Sequence, residues 1–233
     1  MKFIAHRGAS VEAQENTVEA IRLGATLGAY ACECDVCTTK DGHFVLFHDG
    51  DIARLTGYPD LVKDLTEQEL RTKLVEKGFA LTCLADITAD DLHGAYLLCD
   101  LNEELVYNDD LFRMLANAPY KVICGIHRPE EARMASKYFP PEQILAFLPD
   151  VKLAKEFYDN GAGIIRLWEA WTTHTPPEAI KAICPKAQVF IMSCNPETGY
   201  DGSTETIAHF EGLNADGVLL NNIRLGIDYK NKK

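Results

Sequence analysis

At 233 residues, 47% of them hydrophobic, the chain is long enough for one large core, and 23 basic against 35 acidic residues give a formal net charge of −12 with a pI near 5.0. So acidic a surface excludes general charge-driven binding to nucleic acid or to anionic membranes, and an anionic ligand needs a local positive site inside the fold. No run approaches the roughly 18 apolar residues of a membrane-crossing helix, Met1-Lys2 leads straight into a strand-like run instead of a signal peptide, and eight cysteines are too few for a disulfide scaffold, so the expected compartment is the cytoplasm.

In chain order, residues 2–6 are predicted as the first strand and residues 17–28 as an amphipathic helix, with Val18, Ile21, Leu23, Ala25 and Leu27 apolar and Gly28 where a C-cap belongs. Residues 30–37 form the second strand; Lys40-Asp41-Gly42 signals a turn, and residues 44–47 run on beyond it. Residues 66–77 open with the capping box Thr66-Glu67-Gln68-Glu69. The rest alternates regularly. Strands are predicted at 95–100, 121–126, 143–147, 163–167, 188–192 and 216–220, with helices at 103–116, 129–138, 151–160, 177–183 and 204–211 between them. The chain ends soon after the last strand, so a final helix is expected to be short or absent. About eight strands separated by helices give a parallel sheet with right-handed crossovers. Over this length they favour one α/β domain, a closed (β/α)8 TIM barrel spanning residues 1–233, ahead of an open doubly wound sheet.

In such a barrel the chemistry sits at the C-terminal ends of the strands, where His6-Arg7, His48-Asp49 and Asp100 fall, with Glu33 and Asp35 late in the second strand. Glu33 and Asp35, two residues apart, share one face of their strand, and Cys32 and Cys34 take the other. Paired carboxylates repel unless a cation or a proton lies between them, and hard divalent ions take such oxygen sites. Asp100 offers a third ligand; the competing explanation is a salt bridge to lysine or arginine. Cys32 and Cys34 are expected to pack as small apolar side chains under the outer helices, since no second CxxC pair supports zinc. Imidazoles at His6 and His48 suit proton transfer near neutral pH. Arg7 offers a planar fork for phosphate oxygens, or a partner for Glu15, which would then orient it. Asn16 or Thr17 caps the following helix. Trp168 and Trp171 line a pocket wall or close the barrel mouth, and His127-Arg128, at another strand end, is a weaker candidate for the substrate rim.

The runs His6-Arg7-Gly8-Ala9-Ser10, Glu15-Asn16-Thr17-Val18-Glu19-Ala20, Glu33-Cys34-Asp35-Val36, Thr39-Lys40-Asp41-Gly42 and Phe47-His48-Asp49, continued by Leu55-Thr56-Gly57 and Val62-Lys63-Asp64-Leu65-Thr66, resemble the glycerophosphodiester phosphodiesterase family. The match is dense to about residue 90 and thin afterwards. The resemblance implies a (β/α)8 barrel that hydrolyses a small-molecule glycerophosphodiester to an alcohol and glycerol 3-phosphate. It implies His6 and His48 as the acid/base pair, Glu33, Asp35 and a later carboxylate on Mg²⁺ or Ca²⁺, and Arg7 on the phosphate. Three departures stand out. The family's glutamate and lysine at the third barrel strand become Asp100 and Asn102, the latter a substrate contact without charge. A serine-phenylalanine pair is replaced near Ile126-His127, and a Thr-Asp pattern gives way to Leu219-Leu220-Asn221-Asn222.

The expected function is therefore metal-dependent phosphodiester hydrolysis, with Trp168 and Asn102 beside Arg7 in the substrate site and Glu15 behind it. The alternatives are action on a different phosphodiester and a barrel that keeps the site but only binds ligand. An isomerase or lyase is disfavoured because no Schiff-base lysine ends a strand. No nucleic-acid partner and no stable membrane insertion are expected, and the pattern sets neither the head group nor the oligomeric state.

Overall fold

The architecture comes from a computed structural model that describes residues 1–101, 109–193 and 203–232. Asn102 and the first part of the helix expected at 103–116 lie outside the described residues.

Among the described residues nine strands form one sheet: β1 (Lys2–Ala5), β2 (Ala31–Thr38), β3 (Phe44–Leu46), β4 (Tyr96–Leu101), β5 (Val122–Ile126), β6 (Ile144–Phe147), β7 (Ile164–Trp168), β8 (Gln188–Met192) and β9 (Gly217–Leu220). Eight are parallel and close on themselves, because β1 pairs with β9 on one side and with β2 on the other. The expected barrel is therefore the fold, and the open sheet is excluded. β3 is antiparallel and hangs on β2, with Val36 opposite Leu46 and Thr38 opposite Phe44.

Alternation along the strands divides two cores. Ile4, Leu98, Leu145, Ile164, Phe190 and Leu219 fill the barrel interior. Phe3, Ala5, Cys32, Cys34, Ile165 and Leu167 face the surrounding helices. Cys32 and Cys34 are fully buried in that outer layer, the packing role expected of them.

The helices between and after the strands are α1 (Val18–Thr26), α2 (Ala53–Thr56), α3 (Glu67–Val75), α4 (Ala89–Leu92), α5 (Asp109–Ala116), α6 (Pro129–Ala135), α7 (Ala154–Asp159), α8 (Pro177–Ile183), α9 (Thr204–Gly212) and α10 (Ile223–Asn231). Thr17 caps α1 by accepting from the Ala20 N–H, and α3 carries the Thr66–Glu69 capping box. β3, α2 and α3 enclose a satellite core around Val45, Phe47, Ile52, Leu70 and Leu74, and the loop leaving β3 carries His48 over the barrel mouth. The expectation of a short or absent final helix is corrected: α10 has nine residues, as many as α1. Among the described residues no helix is long and apolar enough to cross a membrane.

Candidate active site

A cavity of about 400 Å³ opens at the C-terminal end of the barrel, and His6, Arg7, Glu33, Asp35, His48 and Asp100 all line it. Trp168 lines it as well, whereas Trp171 packs against the outer core.

The loop after β1 is shaped by two consecutive residues in the left-handed region, Arg7 at φ 56° and Gly8 at φ 77°. A Cβ on Gly8 would lie 2.5 Å from the backbone of Ala20, so only glycine lets this loop press against α1. That close approach aims the Arg7 N–H at Glu33 Oε2, 2.7 Å away, and the Gly8 N–H at the Glu33 carbonyl. His6 Nδ1 lies 2.6 Å from Asn221 Oδ1. An amide oxygen can only accept, so this contact puts the proton on Nδ1 and leaves the Nε2 lone pair toward Glu33 Oε2, 3.9 Å away. Burial, with Arg7 adding to it, pushes the His6 imidazole down to about 4, so it is neutral near pH 7.

Glu33 and Asp35 point inward from β2, and Asp100 sits opposite Asp35 in the ladder with β4. One oxygen from each of the three carboxylates lies within 4.8 Å of the others. Burial, then the charges of Asp35 and Asp100, push Glu33 well above its ordinary range. Burial and the charge of Asp100 push Asp35 up to about 6. Closely spaced, raised carboxylates hold either protons or a cation, and an all-oxygen set of this spacing fits a hard divalent ion.

Neighbours fix each acid. Asn16, itself at φ 57°, donates from Nδ2 to Asp35 Oδ2 (2.8 Å) and accepts the Asp35 N–H at Oδ1 (3.0 Å). His127 Nε2 is 2.5 Å from Asp100 Oδ1, and its ring stacks on Phe147 with centroids 5.2 Å apart. Phe147 fits there because Gly125 carries no side chain; a Cβ would meet its ring at 2.4 Å. Burial works against a charged His127, but the hydrogen bond and charge of Asp100, helped by Glu131, raise its pKa on balance.

His48 Nδ1 is 2.7 Å from Asp49 Oδ1, which leaves Nε2 for the cavity. Arg54 then links the loops: Nε donates to Asp49 Oδ2 (2.6 Å) and Nη2 to Glu15 Oε1. Glu15 also accepts from Arg7 Nη1 (3.2 Å), and Arg7 Nε lies 3.5 Å from Asp35 Oδ2. Burial opposes the Glu15 and Asp49 carboxylates, yet Arg54, with Arg7 at Glu15 and His48 at Asp49, keeps both below their ordinary values. One chain of ion pairs thus runs from His48 to Arg7.

Four partners escape a reading of the sequence. Asn16 reads as a helix cap, Asn221 as a loss from a motif and His127 as a rim residue, and Arg54 carries no signal at all.

The sequence profile of the Glycerophosphoryl diester phosphodiesterase family matches residues 6–128, more than half of the chain. Among known proteins, a Glycerophosphodiester phosphodiesterase of Caldanaerobacter subterraneus subsp. tengcongensis is 46% identical over 68 residues, which is 29% of this chain and 28% of that protein. Human Glycerophosphodiester phosphodiesterase 1 is also 46% identical over 68 residues, 29% of this chain and 20% of that protein. The matched stretch thus spans less than a third of either relative. A crystal structure of glycerophosphodiester phosphodiesterase from Thermotoga maritima superposes with a TM-score of 0.77 at 19% identity, covering 97% of this chain and 96% of that one. A phosphodiesterase from Oleispira antarctica, in complex with the product sn-glycerol-3-phosphate, gives 0.77 at 18% identity, over 100% and 97%. At such identities the structural likeness shows the fold.

Proposed function

The chain belongs to the glycerophosphoryl diester phosphodiesterase family, and on that basis we propose that residues 1–233 form one catalytic barrel that hydrolyses glycerophosphodiesters to an alcohol and glycerol 3-phosphate. The observation that carries this proposal is the gathering of two imidazoles, His6 and His48, around three inward carboxylates in a single cavity. Glu33, Asp35 and Asp100 would hold the divalent cation, Mg²⁺ or Ca²⁺, which when bound polarises a phosphoryl oxygen and acidifies an attacking hydroxyl.

The chain's own groups then divide the proton transfers. His6 is neutral, with its Nε2 lone pair toward the cavity, and takes the proton of the oxygen nucleophile as the new P–O bond forms. His48, oriented through Nδ1 by Asp49, returns a proton from Nε2 to the departing alkoxide as the old P–O bond breaks. Arg7, held by Glu15, faces the charge that grows on the phosphoryl oxygens. Trp168 supplies an apolar wall for the alcohol portion.

The test is to incubate the protein with a panel of glycerophosphodiesters and bis-p-nitrophenyl phosphate, with Mg²⁺, Ca²⁺ or a chelator. Metal-dependent release is expected, and His48→Ala should lower kcat by about 10²–10⁴-fold with an unchanged melting temperature. Ligand binding without turnover in any metal would instead make the barrel a binding module.

A further inference from the structure

β7 lies diametrically across the barrel from β2: in the closed strand order the two are four steps apart in either direction. On β7, Ile165 and Leu167 face the helices and Ile164 the interior, so alternation turns Arg166 inward, and it lines the same cavity as the three acids. Arg166 is 5% exposed. Its guanidinium carbon lies 4.0 Å from the Trp168 ring centroid and 5.1 Å from that of Phe147. Stacking of this kind holds a guanidinium by its faces, whereas hydrogen bonds to anions use the N–H groups in its plane, so both can act together.

We propose that Arg166 is a substrate-binding residue that clamps a non-bridging phosphate oxygen from the wall opposite the carboxylates. The proposal rests on the cavity accepting a phosphodiester, as argued above. A tetrahedral phosphate drawn to the Glu33–Asp35–Asp100 side turns its remaining oxygens toward the opposite wall, where, among the described residues, Arg166 supplies a guanidinium. His127 stands nearer the acids, but its Nε2 is committed to Asp100. Arg7 approaches from the acids' own side, through Asp35. Two guanidinium groups on facing walls give a monoanionic phosphodiester, or the phosphate monoester it yields, contacts on both sides. They also supply the local positive charge that a chain of net charge −12 needs in order to admit an anion. Phe147 and Trp168 make the clamp rigid, so lysine would keep the charge and lose both the fork and the stack.

The experiment titrates inorganic phosphate into the metal-loaded full chain by calorimetry, for wild type, Arg166→Met and Arg166→Lys, with thermal melts and a metal titration of each. Loss of charge-assisted hydrogen bonds is expected to weaken phosphate binding by about 10–100-fold in Arg166→Met while metal affinity is unchanged. Arg166→Lys, the variant that decides should the methionine disrupt folding, is expected to weaken it by about threefold or more. Wild-type phosphate affinity in either folded variant, a loss that only follows a loss of metal, or a wild type that binds no phosphate overturns the proposal. Failure of the phosphodiesterase assignment reads out separately. A wild type that turns over no diester but whose phosphate affinity falls on Arg166→Met supports the clamp, and one that turns over diesters while Arg166→Met binds phosphate normally overturns the clamp alone.

Discussion

Asn16 holds Asp35 from two directions, one hydrogen bond to the carboxylate and one from the backbone N–H, and it does so from a left-handed conformation while 4% exposed. Asparagine is the non-glycine residue best suited to that backbone. Asn16→Gly therefore removes the side chain without straining φ, and isolates the clamp. Partners that orient a metal-side carboxylate typically govern metal affinity by about 10–100-fold, so the variant should bind Mg²⁺ or Ca²⁺ that much more weakly in a calorimetric titration. It should also lose about 1–3 kcal/mol of stability for the unmet hydrogen bonds. Unchanged metal affinity would show that Asp35 needs no positioning by Asn16. The clamp was not legible in the sequence because its partner lies nineteen residues away, on β2. Locally the stretch spells only a helix start, and Thr17 does make that cap. The same limit hid the meeting of His127 with Asp100, whereas His6, Glu33, Asp35 and His48 stood out because each falls at the end of, or in phase with, a short apolar strand.

At the scale of elements, the junction of β1 with α1 places His6, Arg7 and the Glu33 contact at once. Its two ends make unlike demands. Thr17→Ala deletes the cap and the hydroxyl's bond to the Gln14 carbonyl, and should cost about 1–2 kcal/mol in thermal melts, with turnover retained. Gly8→Ala forces a left-handed alanine into the backbone of Ala20. It should cost about 2–5 kcal/mol and lower turnover with it, since the loop must lift off α1 and carry Arg7 away from Glu33. A Gly8→Ala protein that melts and reacts like wild type would show that the loop is not constrained by α1. Elements of strand length between amphipathic stretches were legible throughout, because burial on both faces of the barrel strands and on one face of the helices writes two distinct periods into the chain. The final helix was not. The short stretch of chain after the last strand reads as too little for it, and how Gly226 serves it is visible only in three dimensions: the helix crosses so close to β1 that a Cβ at Gly226 would sit 2.6 Å from the Phe3 ring.

For the molecule as a whole, the proposed metal site makes the carboxylate cage a link between protonation, metal and stability. Asp35 sits at about 6 against an ordinary 3.8, and Glu33 is also raised, so between those values the metal-free folded state binds more protons than the unfolded chain. Stability from these groups is therefore full at low pH and is lost as pH rises through the raised values. Other carboxylates, Glu15 and Asp49 among them, are depressed and act in the opposite sense at lower pH. The total melting curve mixes both contributions. The difference between metal-loaded and metal-free melting temperatures separates them, because the cage, and not Glu15 or Asp49, is the proposed ion site. A divalent cation needs the carboxylates ionised and displaces their protons, so its affinity rises with pH, by about tenfold per pH unit for each proton displaced. The stabilisation by Mg²⁺ or Ca²⁺ should accordingly be small near pH 5 and grow steeply through about 6, where Asp35 titrates, with Glu33 adding to the rise as it loses its own proton. In Asp35→Asn, which has no proton to displace at that position, the rise should flatten and metal affinity should fall. A metal-induced shift in melting temperature that stays constant from about pH 5 to about pH 7 would mean that the cation binds elsewhere. The three inward acids would then be a proton-sharing cluster instead of a metal cage.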